Sequence, residues 1–365
     1  MRIEATTTTT VSARALEERL EALRASPGYR NYQRVRDRVL EMKTPGERRE
    51  GVPAEPSAYW TEELSNFEYM FDASPLIIDQ LRRHTYHVTG LRVYDYRTGR
   101  QRPRERFAEK LRALVAEGSR DLLVPESRLL GGFGFDIDGQ LYNLDTLKFF
   151  EALIALDRGG VLDDFRSGRE RRLVWEIGAG WGGFAYQFKT VCSNVTYVIV
   201  DFPELFLFSA TYLMTLFPDA RVRFWGEHQG GPEGPPLRTY EGGPEGLFEN
   251  WQDYDFIFVP HFALADMRPD RVDLTVNMVS FQEMTAAQVE TYVRRAHELK
   301  SAFLYSLNRE KSSYNDEIES VSAIISKYYW PRHVPVLPVG YTKMLDEKPS
   351  PHEYKHLVGW RRVKV

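Results

Sequence analysis

Apolar residues recur along this chain with two different periods, and the change of period falls near residue 170. In the first half the spacing is helical. Leu16, Leu20 and Leu23 fall on one face, and Val35 and Leu40 continue the pattern after Pro27-Gly28, which predicts helix over 13–42. A Pro- and charge-rich stretch at 44–57 reads as loop, and a second helical stretch runs from 58 to a stop at Gly90. Residues 104–119 form an amphipathic helical pattern closed by Gly118. A glycine-rich turn region, "LLGGFGF" at 129–135, then leads into a helix from about Asp145. The threonine-rich residues 1–12 read as a frayed tail, and 13–165 as a mainly helical N-terminal domain.

From 172 onward, short apolar β-rich runs alternate with helical segments. "RLVWEIG", "VTYVIVD" (195–201), "YDFIFVP" (254–260), "VDLTVNM" (272–278) and "AFLYSLN" (302–308) read as buried strands. A shorter run, "ARVRFW" (220–225), competes with 254–260 for third place. Helices fit 184–190, 203–217, 285–300 and 312–330, and a Gly/Pro-rich insertion at 226–246 reads as surface loop. Two extended runs, 333–345 and 354–365, close the chain without a helix between them. This predicts an α/β, Rossmann-like domain over 166–365, its sheet mostly parallel with the last strand antiparallel.

Composition narrows the function classes. Apolar residues make up 42% and charged residues 27%, as in ordinary globular proteins, and the net charge of −4 comes from well-mixed charges. No basic field points to nucleic acid as a partner. The single cysteine, Cys192, excludes an internal disulfide and a cysteine-built metal cage. No signal-like apolar segment opens the chain. The most apolar stretch, 196–217, is interrupted by Asp201, Pro203 and Glu204, so no membrane span is expected and a cytoplasmic location is.

The candidate chemistry begins at "WEIGAGWGGFAYQF" (175–188). Gly178, Gly180 and Gly183 spell G-x-G-x-x-G between a strand and a helix, the place where a dinucleotide rests its pyrophosphate on a helix N-terminus. Glu176 argues against that ligand, because its charge opposes a pyrophosphate. A carboxylate there suits S-adenosylmethionine, which carries a sulfonium, an ammonium and a carboxylate but no phosphate. Asp201 closes the second strand 25 residues later, where an acid accepts both ribose hydroxyls. His261 and Phe262 follow the third strand, on the adenine side, with Phe202 beside Asp201. Such a sheet fits class I methyltransferases better than the symmetrical halves of a dehydrogenase.

"EIGAGWGGFAYQ", "YVIVDFPE", "VDLTVNMVSFQEM", "LYSLNRE" and "EYKHLVGWRR" together resemble a bacterial family of sugar O-methyltransferases. "PESRLLGGFGFDIDGQLYNLDTLKFFE" and "SAYWTEE" add to the likeness, which runs from about 58 to 362. The resemblance implies a class I enzyme that methylates hydroxyls of sugars in natural-product or polysaccharide biosynthesis. It also implies that Glu176, Gly178, Gly180, Gly182, Gly183 and Asp201 hold the cofactor. Trp181, counted with the cofactor loop, stands where a smaller aromatic is expected, its ring either covering the methionyl chain or filling the core, and the 226–246 insertion is long.

Methyl transfer to a hydroxyl requires alignment and a general base, supplied from beyond the carboxyl ends of the strands. The fourth strand delivers Asn277, Ser280, Phe281 and Glu283, of which Asn277 and Ser280 border the cofactor. The fifth delivers Tyr305, Asn308 and Arg309. The last strand, if antiparallel, brings His352, Tyr354 and His356 to the same edge on one face. His356 is the preferred base, with Glu283 orienting it or acting as base itself. Asn308 joins the catalytic set, while Phe281, Tyr305, Arg309 and Tyr354 face the acceptor. Each has an ordinary structural reading beside the catalytic one. Phe133 in "LLGGFGF" is a candidate lid residue over an acceptor pocket capped by the N-terminal domain. His84 and His87 lack a third ligand, and no metal is expected. The expected partner is a small glycoside-like acceptor. Self-association through the N-terminal domain is left open. So are methyl transfer to nitrogen or carboxylate and, in another class, a nicotinamide-dependent oxidoreductase or a binding module without catalysis.

Overall fold

The computed structural model describes residues 12–43, 56–97, 99–227, 246–311, 318, 320–337 and 354–363. The tail at 1–11, most of the 226–246 insertion, and His352 lie outside the described residues.

The stretch predicted as one helix over 13–42 is two, α1 (Ala13–Arg24) and α2 (Pro27–Lys43). Pro27 has no N–H to continue the first ladder, and Ala25 closes α1 through Glu21 and Leu23. Residues 58–90 also break up, into α3 (Ala58–Ser65), α4 (Pro75–Asp79) and α5 (Tyr86–Thr89) with tight turns between them. Pro75 starts α4, and Gly90, at φ +68°, ends α5. Helix α6 (Gln101–Glu117) is followed by a hairpin, β1 (Phe135–Ile137) and β2 (Gln140–Tyr142). Asp138 and Gly139 turn it with φ of +53° and +81°. Asn143 and Thr146 then form a reciprocal cap on α7 (Leu144–Arg158), and α8 (Leu162–Arg166) leads to the sheet.

The main sheet contains β3 (Arg172–Ile177), β4 (Val195–Asp201), β5 (Val222–Phe224), β6 (Phe256–Pro260), β7 (Leu274–Met278), β8 (Phe303–Asn308), β9 (Tyr329–His333) and β10 (Lys355–Arg361). Helices α9 (Gly183–Val191), α10 (Pro203–Leu216), α11 (Ala286–Glu298) and α12 (Val321–Ser326) lie between strands. The spatial order is β5-β6-β4-β3-β7-β8-β10-β9, and only β10 runs against its neighbours. This is the Rossmann-like α/β sheet expected of a class I methyltransferase. Of the two candidates for the third strand, 254–260 lies beside β4 and 220–225 lies outside it, at the edge. The penultimate strand begins at Tyr329, inside the stretch read as helix, because α12 stops at Ser326.

Period-two alternation gives each sheet face its own core. Leu173, Trp175, Ile177, Val198 and Val200 pack toward α11 and α12. Val174, Tyr197, Ile199, Val276 and Tyr305 pack toward α7, α9 and α10 and the N-terminal helices. Glu176 alternates with Trp175 and shares the face of Val174, so its side chain enters the second face. No helix among the described residues is long and apolar enough to cross a membrane.

Candidate cofactor and acceptor site

At the carboxyl end of β3 the chain must turn sharply to start α9. Gly178, Gly180 and Gly182 do so with φ of +71°, +58° and +82°, a region that side chains other than glycine rarely adopt. The turn is also crowded. A Cβ on Gly178 would lie 2.4 Å from Ser280 Oγ, and one on Gly183 would lie 2.2 Å from the Trp181 ring. A Cβ on Gly180 would meet Val88 of α5 at 2.8 Å, so the N-terminal layer rests on this loop.

Two carboxyls line the turn. Asp201 Oδ2 accepts the Gly180 N–H at 2.8 Å and Oδ1 accepts the Phe202 N–H at 2.8 Å. Burial pushes Asp201 up to about 7 despite these donors. Glu176, 1% exposed, accepts the Tyr197 hydroxyl at 3.0 Å, and burial pushes it up to about 8. A carboxyl so placed gains from any cation brought to it, because a nearby positive charge restores its ionised form. The loop therefore fits a cationic ligand and fits a pyrophosphate poorly.

The raised Glu176 value makes a stability prediction. A carboxyl whose folded pKa lies above its ordinary 4.5 contributes stability that is complete below that value and lost as pH rises through about 8. In Glu176→Gln the ligand-free protein should lose less stability between pH 5 and pH 9 than the wild type does. Urea midpoints at the two pH values measure it, and parallel slopes would contradict the burial of this charge.

Beyond β4 and β6 the wall is aromatic. The Phe202 and His261 rings lie 4.6 Å apart, His261 and Phe262 5.5 Å, and Trp60 from α3 packs on Phe202 at 5.5 Å. Trp60 also donates to the Glu283 carboxylate. Part of Glu283 is exposed but its carboxyl is enclosed, and burial pushes it up to about 8. The segment containing Trp60 thus bridges this aromatic wall and the turn after β7.

That turn is locked by amides. Asn277 Nδ2 donates to the Ile177 carbonyl at 2.9 Å and to Ser280 Oγ at 2.5 Å, and its Oδ1 accepts from Phe281 N–H at 3.1 Å and Asn308 Nδ2 at 2.8 Å. Asn308 is 4% exposed and also donates to Ser306 at 2.8 Å, so its amide knits β7 to β8. Phe281 is fully buried in the α11 side core. Gln282 Oε1 accepts the Arg309 N–H at 2.9 Å and its Nε2 donates to Tyr354 at 3.2 Å, with the Arg309 guanidinium 4.7 Å over the Tyr354 ring.

His356 stands elsewhere. Its Nδ1 pairs with the Tyr305 hydroxyl at 2.8 Å and its Nε2 faces Glu151 at 3.6 Å, and Glu151 in turn meets Lys110 at 3.2 Å. The ring is 7% exposed, enclosed between the sheet and α7. Trp181 and Phe133 are drawn into another buried cluster, where the Arg82 guanidinium lies 3.7 Å from the Trp181 ring and 4.9 Å from that of Phe133. The structure thus gathers Glu176, the glycines, Asp201, Phe202, His261, Phe262, Asn277, Ser280 and Glu283 around one edge. His356 with Tyr305, and Trp181 with Phe133, sit in adjoining packed clusters.

Residues that the sequence reading passed over complete the picture: Trp60, Arg82 and Lys148. Lys148 had one visible signal, a lone cation inside the apolar run "LKFFEALIAL". His84, by contrast, is simply held by Tyr69 at 3.1 Å, and no group of three metal-ligating side chains occurs among the described residues.

No protein-family model matches the chain, and no curated protein matches its sequence. Solved structures do resemble it at low identity. EvdMO1 is 14% identical over 63% of this chain and 44% of its own, with a TM-score of 0.35, so the match spans less than half of that protein. A protein studied for conversion of a disulfide bond into a thioacetal group during echinomycin biosynthesis is 12% identical over 58% and 81%, TM-score 0.34. The N-methyltransferase NodS from Bradyrhizobium japonicum WM9 is 11% identical over 57% and 96%, TM-score 0.33.

Proposed function

We propose that the chain is an S-adenosylmethionine-dependent methyltransferase acting on a hydroxyl of a sugar or sugar-like small molecule. The observation that carries the cofactor is Glu176, a buried carboxyl of raised pKa beneath three left-handed glycines at the end of the first sheet strand, and the sugar hydroxyl follows from the resemblance over 58–362. When bound, the cofactor supplies a methyl on a positive sulfur that leaves as a neutral thioether. Glu176 holds the ammonium of its amino-acid end and Asp201 the ribose hydroxyls, while Phe202, His261 and Phe262 enclose the adenine. The N-terminal layer, through Trp60 and Val88, covers the cleft and excludes water.

Glu283 rather than His356 is the general base. Both ring nitrogens of His356 face buried partners, whereas Glu283 lies beside the covering Trp60 and burial pushes it up to about 8, where a carboxylate is a stronger base. Its carboxylate takes the hydroxyl proton as the oxygen–carbon bond forms and the carbon–sulfur bond breaks. Arg309 and Tyr354, next along the edge, contact the acceptor.

Incubation with S-adenosylmethionine and a panel of glycosides, followed by mass spectrometry, tests the acceptor class. The expected product is one added methyl on a sugar oxygen. Transfer to amines or carboxylates with none to hydroxyls would replace the sugar reading by the nitrogen or carboxylate one.

A further inference from the structure

Helix α7 is enclosed on nearly every side. Between Leu144 and Leu156 every residue is buried except Lys148, whose side chain is 14% exposed. A helix with one such opening presents that side chain to a cleft, and the neighbouring contacts say which cleft. Phe149 packs on the Trp181 ring at 6.1 Å and would lie 2.6 Å from a Cβ on Gly183, so the start of α7 is docked on the glycine turn. The charge of Lys148 favours the ionised forms of both Glu176 and Glu283.

Lys148 is held in place from behind. Its Nζ donates to Asp145 Oδ1 at 2.9 Å, and Asp145 Oδ2 accepts from Arg82 Nη2 at 2.7 Å. Arg82 is further fixed by Glu126 at 3.2 Å and by Thr85 at 2.6 Å. A lysine carried by such a network keeps its position when a ligand arrives, which is what a binding cation needs.

We propose that Lys148 receives the carboxylate of the cofactor's amino-acid end, so that Lys148 and Glu176 together read a zwitterion. The assignment rests on the S-adenosylmethionine reading above. It explains why a buried apolar helix carries one lysine at the point where it borders the glycine turn. It also supplies a counter-charge for an anionic group in a cleft lined by carboxyls.

Two ligands separate this assignment from the wider reading. S-adenosylhomocysteine carries the amino-acid end, and 5′-methylthioadenosine shares its adenine, ribose and thioether but lacks that end. In Lys148→Met, calorimetry should show S-adenosylhomocysteine affinity reduced at least about tenfold, the scale of a lost charged hydrogen bond. Methylthioadenosine affinity should stay unchanged, and Lys148→Arg should recover most of the loss. Equal losses for both ligands, or a loss for neither, would overturn the role of Lys148 while leaving the cofactor reading intact. If the wild type binds neither ligand, the cofactor reading itself fails.

Discussion

Arg82→Ala should destabilise the chain by about 3–5 kcal/mol, the usual cost of stripping one partner from a buried ion pair. The Arg82 side chain is 0% exposed and lies between Glu126 and Asp145, which are also enclosed. Burial alone raises both carboxyls, and the attraction of Arg82 lowers them. Without the guanidinium, Glu126 keeps only the Asn143 amide, at 2.6 Å, and Asp145 keeps Lys148. The Trp181 ring also loses the cation stacked on it, a further contribution of roughly 2 kcal/mol when desolvated. Arg82→Lys should recover little, since one ammonium cannot reach Glu126, Asp145 and Thr85 together. Urea unfolding reads the loss directly, and a change below about 1 kcal/mol would mean that the network is a passenger.

The second large effect is catalytic. Glu283→Gln should lower kcat by about 10²- to 10⁴-fold, the contribution typical of a positioned general base. Affinity for the cofactor should hardly change, because the Gln side chain can still accept from Trp60. The pH profile adds a sign. A base acts in its ionised form, so kcat/KM in the wild type should rise as pH increases through about 8. In the variant that rise should vanish. A variant that keeps normal turnover and the same profile would return attention to His356 and its Tyr305–Glu151 partners.

The sheet was readable in the sequence because parallel strands buried on both faces appear as continuous apolar runs, and 172–308 contains five of them in order. The meeting of Glu176, the glycines and Asp201 at one edge was readable for a related reason: their places depend on local spacing at strand ends. The N-terminal region was harder. Apolar periodicity persists from 58 to 90, but the segment is a string of short helices, and periodicity alone does not count breaks such as Pro75. The Asp138–Gly139 hairpin had its signal, an Asp-Gly flanked by alternating residues, and was masked by the neighbouring glycines.

Which side chains meet across elements was not readable at all. Alternation placed His356 near the carboxyl edge, opposite Leu307, yet its partner Glu151, and the Lys110 that pairs with Glu151, come from helices that no local pattern ties to β10. Trp181 lies in the glycine motif, but Arg82, nearly one hundred residues upstream, decides that its ring belongs to the packed cluster. Asn308 reads as a catalytic amide at a strand end until Asn277 and Ser306 are seen to use it. Trp60 and Glu283 are the converse case, distant residues whose meeting points to the cover of the cleft.

The most direct measurement is calorimetric titration of the protein with S-adenosylmethionine, its demethylated product and NAD. The account predicts binding of the first two, weakened strongly in Glu176→Ala, and no heat from NAD. Saturable NAD binding without a response to either sulfur ligand would contradict it.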